Sequence, residues 1–106
     1  MILCSTDSVP GKKIVNVFGL VRGNTIRARN IGRDIKALFK HMAGGEIHDY
    51  TKMMAETREQ ALDRLSEDAE ALGANAIVGL RFTTTSMMQG AAEFLVYGTA
   101  VLCEDE

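Results

Sequence analysis

The fourteen residues from Val21 to Asp34 hold the densest group of chemistry-bearing side chains in the chain. Arg22, Arg27, Arg29 and Arg33 stand there with Asn24 and Asn30, and no acid appears before Asp34. Guanidinium forks bind carboxylate or phosphate through paired hydrogen bonds. The segment also spans the change from a strand-like to a helix-like pattern, where unpaired N–H groups and a partial positive charge favour anions. An anionic ligand is the chemistry these residues suggest. Arg22, Arg27, Arg29 and Arg33 would line the pocket with Asn24, and Asn30 and Asp34 would orient the guanidiniums. A competing use is ion pairing, within one subunit or between two. The stretch from Glu46 to Glu70 carries eight acids against three bases, Lys52, Arg58 and Arg64.

Other chemistries have fewer residues behind them. The soft metal ligands are Cys4, Cys103, His41 and His48, and none occurs at a short ligand spacing such as CxxC or HxxxH. Cys4 and Cys103 fall near strand ends. With His48 they would make a soft site for a divalent or soft metal ion. Against that, a free cysteine in a strand usually packs as a small core residue. Glu46, His48 and Asp49 cluster before an acidic helix and could act as an acid/base group in a small enzyme, although such residues ordinarily serve helix entry. No Ser-His-Asp set or nucleophile elbow can be placed. The methionine pairs Met53-Met54 and Met87-Met88 are the usual flexible packing.

Something must position these side chains, and the hydrophobic pattern supplies the elements. Met1 to Thr6 reads as a brief strand, followed by a Pro10-Gly11 turn. Lys13 to Arg22 is β-rich, with Gly19 and Gly23 inserted where a bulge or a close backbone approach is expected. Ile31, Ile35, Leu38, Phe39 and Met42 then recur at helical spacing, with Asn30 as N-cap and Gly44-Gly45 as the stop. A longer helix is expected from about Tyr50 to Leu72. Its apolar stripe is Tyr50, Met54, Ala61, Leu65, Ala69 and Leu72, Asp49 caps it and Gly73 ends it. Ala76 to Thr84 and Ala92 to Cys103 close the chain as a hairpin joined by Ser86 to Gly90. The order is β-β-α-α-β-β, an α+β class fold with an antiparallel sheet packed on helices, in a single domain over residues 1–106.

The last strand is apolar on both faces. Phe94, Val96, Ala100 and Leu102 point one way, and Leu95, Tyr97 and Val101 the other. In the strand before it, Val78, Leu80 and Phe82 oppose Ile77, Gly79 and Arg81 under strict alternation. Helices on one side of a sheet cover one face, so the other needs a partner, most simply a second copy of the chain. Helices split across both faces would instead make a monomer.

At 106 residues, 46% of them hydrophobic, the chain is one small domain with a modest core. A formal net charge of −2 and six aromatic residues argue against a nucleic-acid partner. Two cysteines without a framework spacing fit a reducing cytoplasm. The first residues lack the basic and long apolar regions of a secretion signal, and no apolar run reaches the length of a membrane span.

Four segments together carry a family likeness. They are Val21-Arg22-Gly23 with Arg29 to Asp34, Gly44-Gly45-Glu46 with Tyr50-Thr51, Leu72 to Gly79, and Tyr97 to Val101. In order and spacing, over nearly the whole chain, they resemble the YbjQ-like proteins, a family of uncharacterised function labelled as heavy-metal-binding. The resemblance implies a dodecin-like α+β subunit, antiparallel sheet on helices, assembled as a ring, a homopentamer. It lends no support to a metal at Cys4, Cys103, His41 or His48, which lie outside the matching segments. The resulting expectation is a non-enzymatic cytoplasmic ring that binds a small ligand or metal, with two alternatives, a small enzyme with its acid/base group at Glu46, His48 or Asp49, and a purely structural oligomer.

Overall fold

The computed structural model describes residues 1–27, 47–88 and 91–106. Five elements lie there: β1 (Ile2–Leu3), β2 (Lys12–Arg27), α1 (Ile47–Ala71), β3 (Ala76–Met88) and β4 (Ala91–Asp105). The expected helix over Ile31 to Met42, with its Asn30 cap, lies outside the described residues. Among the described residues the order is therefore β-β-α-β-β, in the α+β class that the pattern indicated.

The sheet runs β1-β3-β4-β2. Its three long strands are antiparallel, but β1 pairs with β3 in parallel through Ile2–Ala76 and Leu3–Ile77. The sheet is thus mixed rather than antiparallel. The cause is local. Ile2, Cys4 and Thr6 form a second rail of hydrogen bonds along β3, as the Ile2 N–H donates to Asn75 O (3.1 Å), the Cys4 N–H to Ile77 O (2.9 Å) and the Gly79 N–H to Thr6 O (2.8 Å). That rail covers the β3 edge as far as Leu80, whose N–H donates to Cys4 O (3.0 Å).

Two glycines break strict alternation. The β3–β4 register slips between Val78 and Arg81, where Gly79 has φ +63, and the β2–β4 register slips between Val17 and Gly19, where Gly19 has φ +112. Positive φ is inexpensive only for glycine, and one extra residue in a strand is a bulge. The bulge at Gly79 corrects the expected facing of β3. Ile77 and Leu80 pack on the helix side and Val78 on the other, so Val78 does not share a face with Leu80 and Phe82.

Helix α1 lies over β2 and β4. Its buried stripe is Thr57, Ala61, Leu65 and Ala69, four residues apart each time, against Val21, Val96, Ala100 and Ile77. Leu72, expected in the stripe, is exposed because the helix has ended at Ala71. Asp49 is not its cap, since the helix is already under way at Ile47. A second cluster fills the opposite face at one end, where Val9 and Cys4 cover Ala76, Val78, Val101 and Cys103. Part of the second face expected to need a partner is thus covered from within the chain. Asn75 ties this end to the helix turn. Its side chain donates to the Cys103 carbonyl (2.9 Å) and accepts from the Cys103 N–H (2.8 Å), as a neighbouring strand would. Lys12 and Asp105 close the far corner in an ion pair at 2.7 Å.

Candidate functional site

The arginine segment enters the structure through the last third of β2. Strand alternation turns Val21, Gly23 and Thr25 toward α1 and leaves Arg22 and Asn24 exposed on the opposite face. Gly23 is where helix and sheet meet most closely. A Cβ there would collide with the Ala61 carbonyl oxygen and sit 2.5 Å from the Leu65 amide nitrogen. Only glycine lets the helix backbone rest on the strand. Beside this contact Arg64 reaches across from α1, and its Nη1 donates to the Asn24 carbonyl at 2.6 Å.

These facts decide one of the alternatives left by the sequence. The acids of α1 at Glu56, Glu59, Asp63, Glu67, Asp68 and Glu70 are exposed on the helix side, whereas Arg22 is on the other side of the sheet. Within one chain the sheet stands between them, so Arg22 does not pair with its own helix. Asn24 has a local partner, as its Nδ2 donates to Glu93 Oε2 at 3.2 Å. The backbone of Arg27 ends β2. Arg29, Asn30, Arg33 and Asp34 lie outside the described residues, as do Glu46 and His41.

The register brings two residues to Arg22 that the sequence reading did not select as site residues. Arg22 pairs with Tyr97, and Tyr97 pairs with Arg81, so one row across β2, β4 and β3 reads Arg22–Tyr97–Arg81. All three are exposed. The next row is Asn24–Leu95–Thr83 and the preceding one Leu20–Thr99–Val78. Arg81 is held from behind, its Nη1 donating to the carbonyls of Ser5 (2.8 Å) and Leu80 (2.9 Å). The signal that could have found Arg81 is the glycine two residues earlier, because the bulge at Gly79 decides which face Arg81 takes.

The metal candidates are divided. Cys4 and Cys103 are free thiols in one apolar cluster, Cys4 half-buried and Cys103 4% exposed. His48 is in the first turn of α1, some 23 residues before the helix end that Asn75 follows. At 1.5 Å per residue that is roughly 35 Å along the axis. One chain does not bring the three together. No group of three or more His, Cys, Asp or Glu side chains converges among the described residues. A resident soft metal needs converging, deprotonable donors, and two thiols packed among valines do not fit it. Asp49 sits beside His48 in the same turn of backbone.

Comparison with known proteins places the chain in a family. The YbjQ family model, described as "Putative heavy-metal-binding", matches residues 1–104. The chain belongs to the YbjQ family. Relatives in this family are similar over their whole lengths. A UPF0145 protein of Clostridioides difficile is 54% identical over 106 residues, covering all of this chain and 95% of the relative. A UPF0145 protein of Halorubrum lacusprofundi is 54% identical over 101 residues, covering 95% and 97%. One from Thermotoga maritima is 48% identical over 104 residues, covering 98% of each. Among solved structures, a Pediococcus pentosaceus protein of unknown function from the DUF74 family superposes with TM-score 0.67 at 18% identity over 98% of both chains. That likeness establishes the fold of this YbjQ-family chain. No helix among the described residues is long and apolar enough to cross a membrane.

Proposed function

We propose that this YbjQ-family chain is a non-enzymatic, cytoplasmic, self-assembling protein of one domain that binds a small ligand where its subunits meet. A single observation carries the reading. On β2, an edge strand, Val17 and Leu20 are 59% and 70% exposed on the face turned away from α1. Ile14 extends the strip. A long apolar edge strand is a template for pairing with another chain, and Val17 to Leu20 carries no proline or charge, although the bulge at Gly19 interrupts its ladder. Among the described residues the opposite sheet edge is also unpaired from Arg81 onward, past the rail formed by Cys4 and Thr6. Two unlike edges on one subunit favour head-to-tail contact, which forms a ring where the rotation between subunits closes. The family resemblance sets the expected ring at five copies.

The ligand side of the reading rests on Arg22 and Asn24, with Arg27, Arg29, Asn30, Arg33 and Asp34 following in sequence. An anion suits this set better than a soft metal, because none of these residues is a thiol or an imidazole. Mass measurement under native conditions tests the assembly. The expected result is five times the chain mass, and a monomer at micromolar concentration overturns the reading. Protein purified without a histidine tag and incubated with zinc, copper or cadmium addresses the metal description. The expected outcome is no stoichiometric metal, and one bound ion per chain would restore that description.

A further inference from the structure

We propose that Arg64 and Arg81 guard the two edges of the sheet, each holding an outward-pointing backbone carbonyl, and so stop open-ended, strand-by-strand growth. The inference rests on the self-assembly reading above and names what limits that contact.

The direction of the Asn24 carbonyl follows from the ladder. Cys103 exchanges two hydrogen bonds with the Asn75 side chain, and the Val101 carbonyl accepts from the Asn75 N–H (3.1 Å). Both residues therefore turn their backbone groups toward the β3 side of β4. From there β4 runs to Ala92 with no extra residue, because each register slip adds its residue to β2 or β3. Backbone groups alternate in direction along a strand, so Leu95 also faces β3. Asn24, its partner on β2, then forms a non-hydrogen-bonded pair with it. The Asn24 N–H and C=O point away from β4, out of the free edge of the last strand.

Arg64 reaches that carbonyl from the matching flank of α1. Leu62 packs on the core cluster, and Arg64 lies roughly 200° around the helix from it, exposed. Its Nη1 donates to the Asn24 carbonyl at 2.6 Å. The other edge has the same device. The Leu80 N–H donates to Cys4 O across the β1 rail, so the Leu80 carbonyl turns to that side as well. Arg81 Nη1 bridges it (2.9 Å) to the Ser5 carbonyl (2.8 Å), at the point where the rail ends.

A strand added along the full length of either edge needs these carbonyls as acceptors. It would have to displace a guanidinium and lay its own backbone against the charge, which is how charged side chains blunt sheet edges. On β2 the guard leaves pairing to the half from Lys12 to Arg22, which carries the apolar strip.

Native mass, light scattering over time and thioflavin fluorescence of the full chain test the guards. The wild type should hold one finite mass. Arg64→Ala, and more strongly its combination with Arg81→Ala, should grow into species whose mass rises with time and concentration. Arg64→Lys keeps the charge and a donor and should stay near the wild type, as should Arg58→Ala on the same helix. In the grown species amide exchange over Arg22 to Ile26 should slow by at least about tenfold while α1 keeps its protection. Asn24→Pro, a change that edge strands tolerate, should abolish growth in the Arg64→Ala background. A double variant that keeps the wild-type mass overturns the proposal, as does Arg64→Ala growth that survives Asn24→Pro. Growth with α1 unprotected is aggregation of unfolded chain and overturns it too. A monomeric wild type whose double variant still grows would remove the assembly and keep the guards. A finite multimer indifferent to both substitutions would do the reverse.

Discussion

At Gly23 the space that a side chain would need is already filled by the backbone of α1, which cannot rotate aside as a neighbouring side chain could. Gly23→Ala should therefore cost about 3 kcal/mol, the upper end for overpacking, seen as a lower urea midpoint with an unchanged slope. Gly98 is tight in another way, since a Cβ there would stand 2.7 Å from Ile77 Cγ2 and 3.1 Å from the Val78 carbonyl oxygen. Thr25 makes the opposite prediction. Its hydroxyl is buried without a hydrogen-bond partner among the described residues. Thr25→Val keeps the shape, removes the unsatisfied group and should raise stability by about 1 kcal/mol. A lower melting temperature in that variant would show that the hydroxyl has a partner after all. Individual residues were unevenly legible in the sequence. Gly19 and Gly23 stand out inside an apolar run, and the two roles such glycines take, bulge and close approach, are the two found. Thr57 and Thr25 did not stand out, because a buried threonine looks in sequence like a surface one. The Arg22–Tyr97–Arg81 row was invisible, since it depends on cross-strand register between residues as far apart in the chain as Arg22 and Tyr97.

Among the elements, the joint between α1 and β3 depends on one amide. Asn75 exchanges two hydrogen bonds with the backbone of Cys103 and so substitutes for a missing strand residue. Asn75→Ala should cost about 1–3 kcal/mol by leaving a buried N–H and carbonyl unpaired. Asn75→Asp should cost more, because it turns an acceptor toward the Cys103 carbonyl. Comparing the two by chemical denaturation separates lost bonding from added repulsion. The far corner, where β2 meets β4, predicts a pH dependence. The hydrogen bond from Lys12, and then its charge, hold the Asp105 carboxyl below its usual 3.8, while Asp105 in the same order raises Lys12 above its usual 10.5. The Asp105 contribution is present above 3.8 and lost as pH falls through the lowered value. The Lys12 contribution is present below 10.5 and lost as pH rises through the raised value. Lys12→Met should thus melt lower than wild type at neutral pH and converge with it in strong acid. The gap should be small, as both groups face solvent, and should shrink further at about 1 M salt. Element types were largely legible. The i, i+4 spacing of Ala61, Leu65 and Ala69 gave the helix, and apolar runs gave the three long strands. Strand ends were not. The strand was expected to stop at Thr84 and the loop to begin at Ser86, yet β-branched threonines suit a pleated, exposed face, and β3 runs on to Met88.

The molecule as a whole is two-sided. Acids cover the helix face, and on the other face Arg22 follows an apolar strip along an edge strand while Arg81 stands two strands away on β3. If subunits join through that strip, Leu20→Lys or Val17→Lys should reduce the native mass to one chain while leaving the far-ultraviolet circular dichroism spectrum unchanged. Either variant should fold, because both positions are exposed. A wild-type mass in the double variant would place the contact elsewhere. That two-sidedness was half legible, since the apolar second face was plain in β4, but its partial cover by Val9 and Cys4 was not. Gly79 bears on this polarity in an unexpected way. It is a surplus beat in a two-step rhythm. Drop it, and Leu80, Arg81 and Phe82 keep their facing; keep the position but fill it with valine, and the strand is pressed back into strict time. Arg81 would then swing to the helix side and Phe82 to the other. A chain one residue shorter should therefore lie closer to this fold than one of full length with the wrong residue at 79.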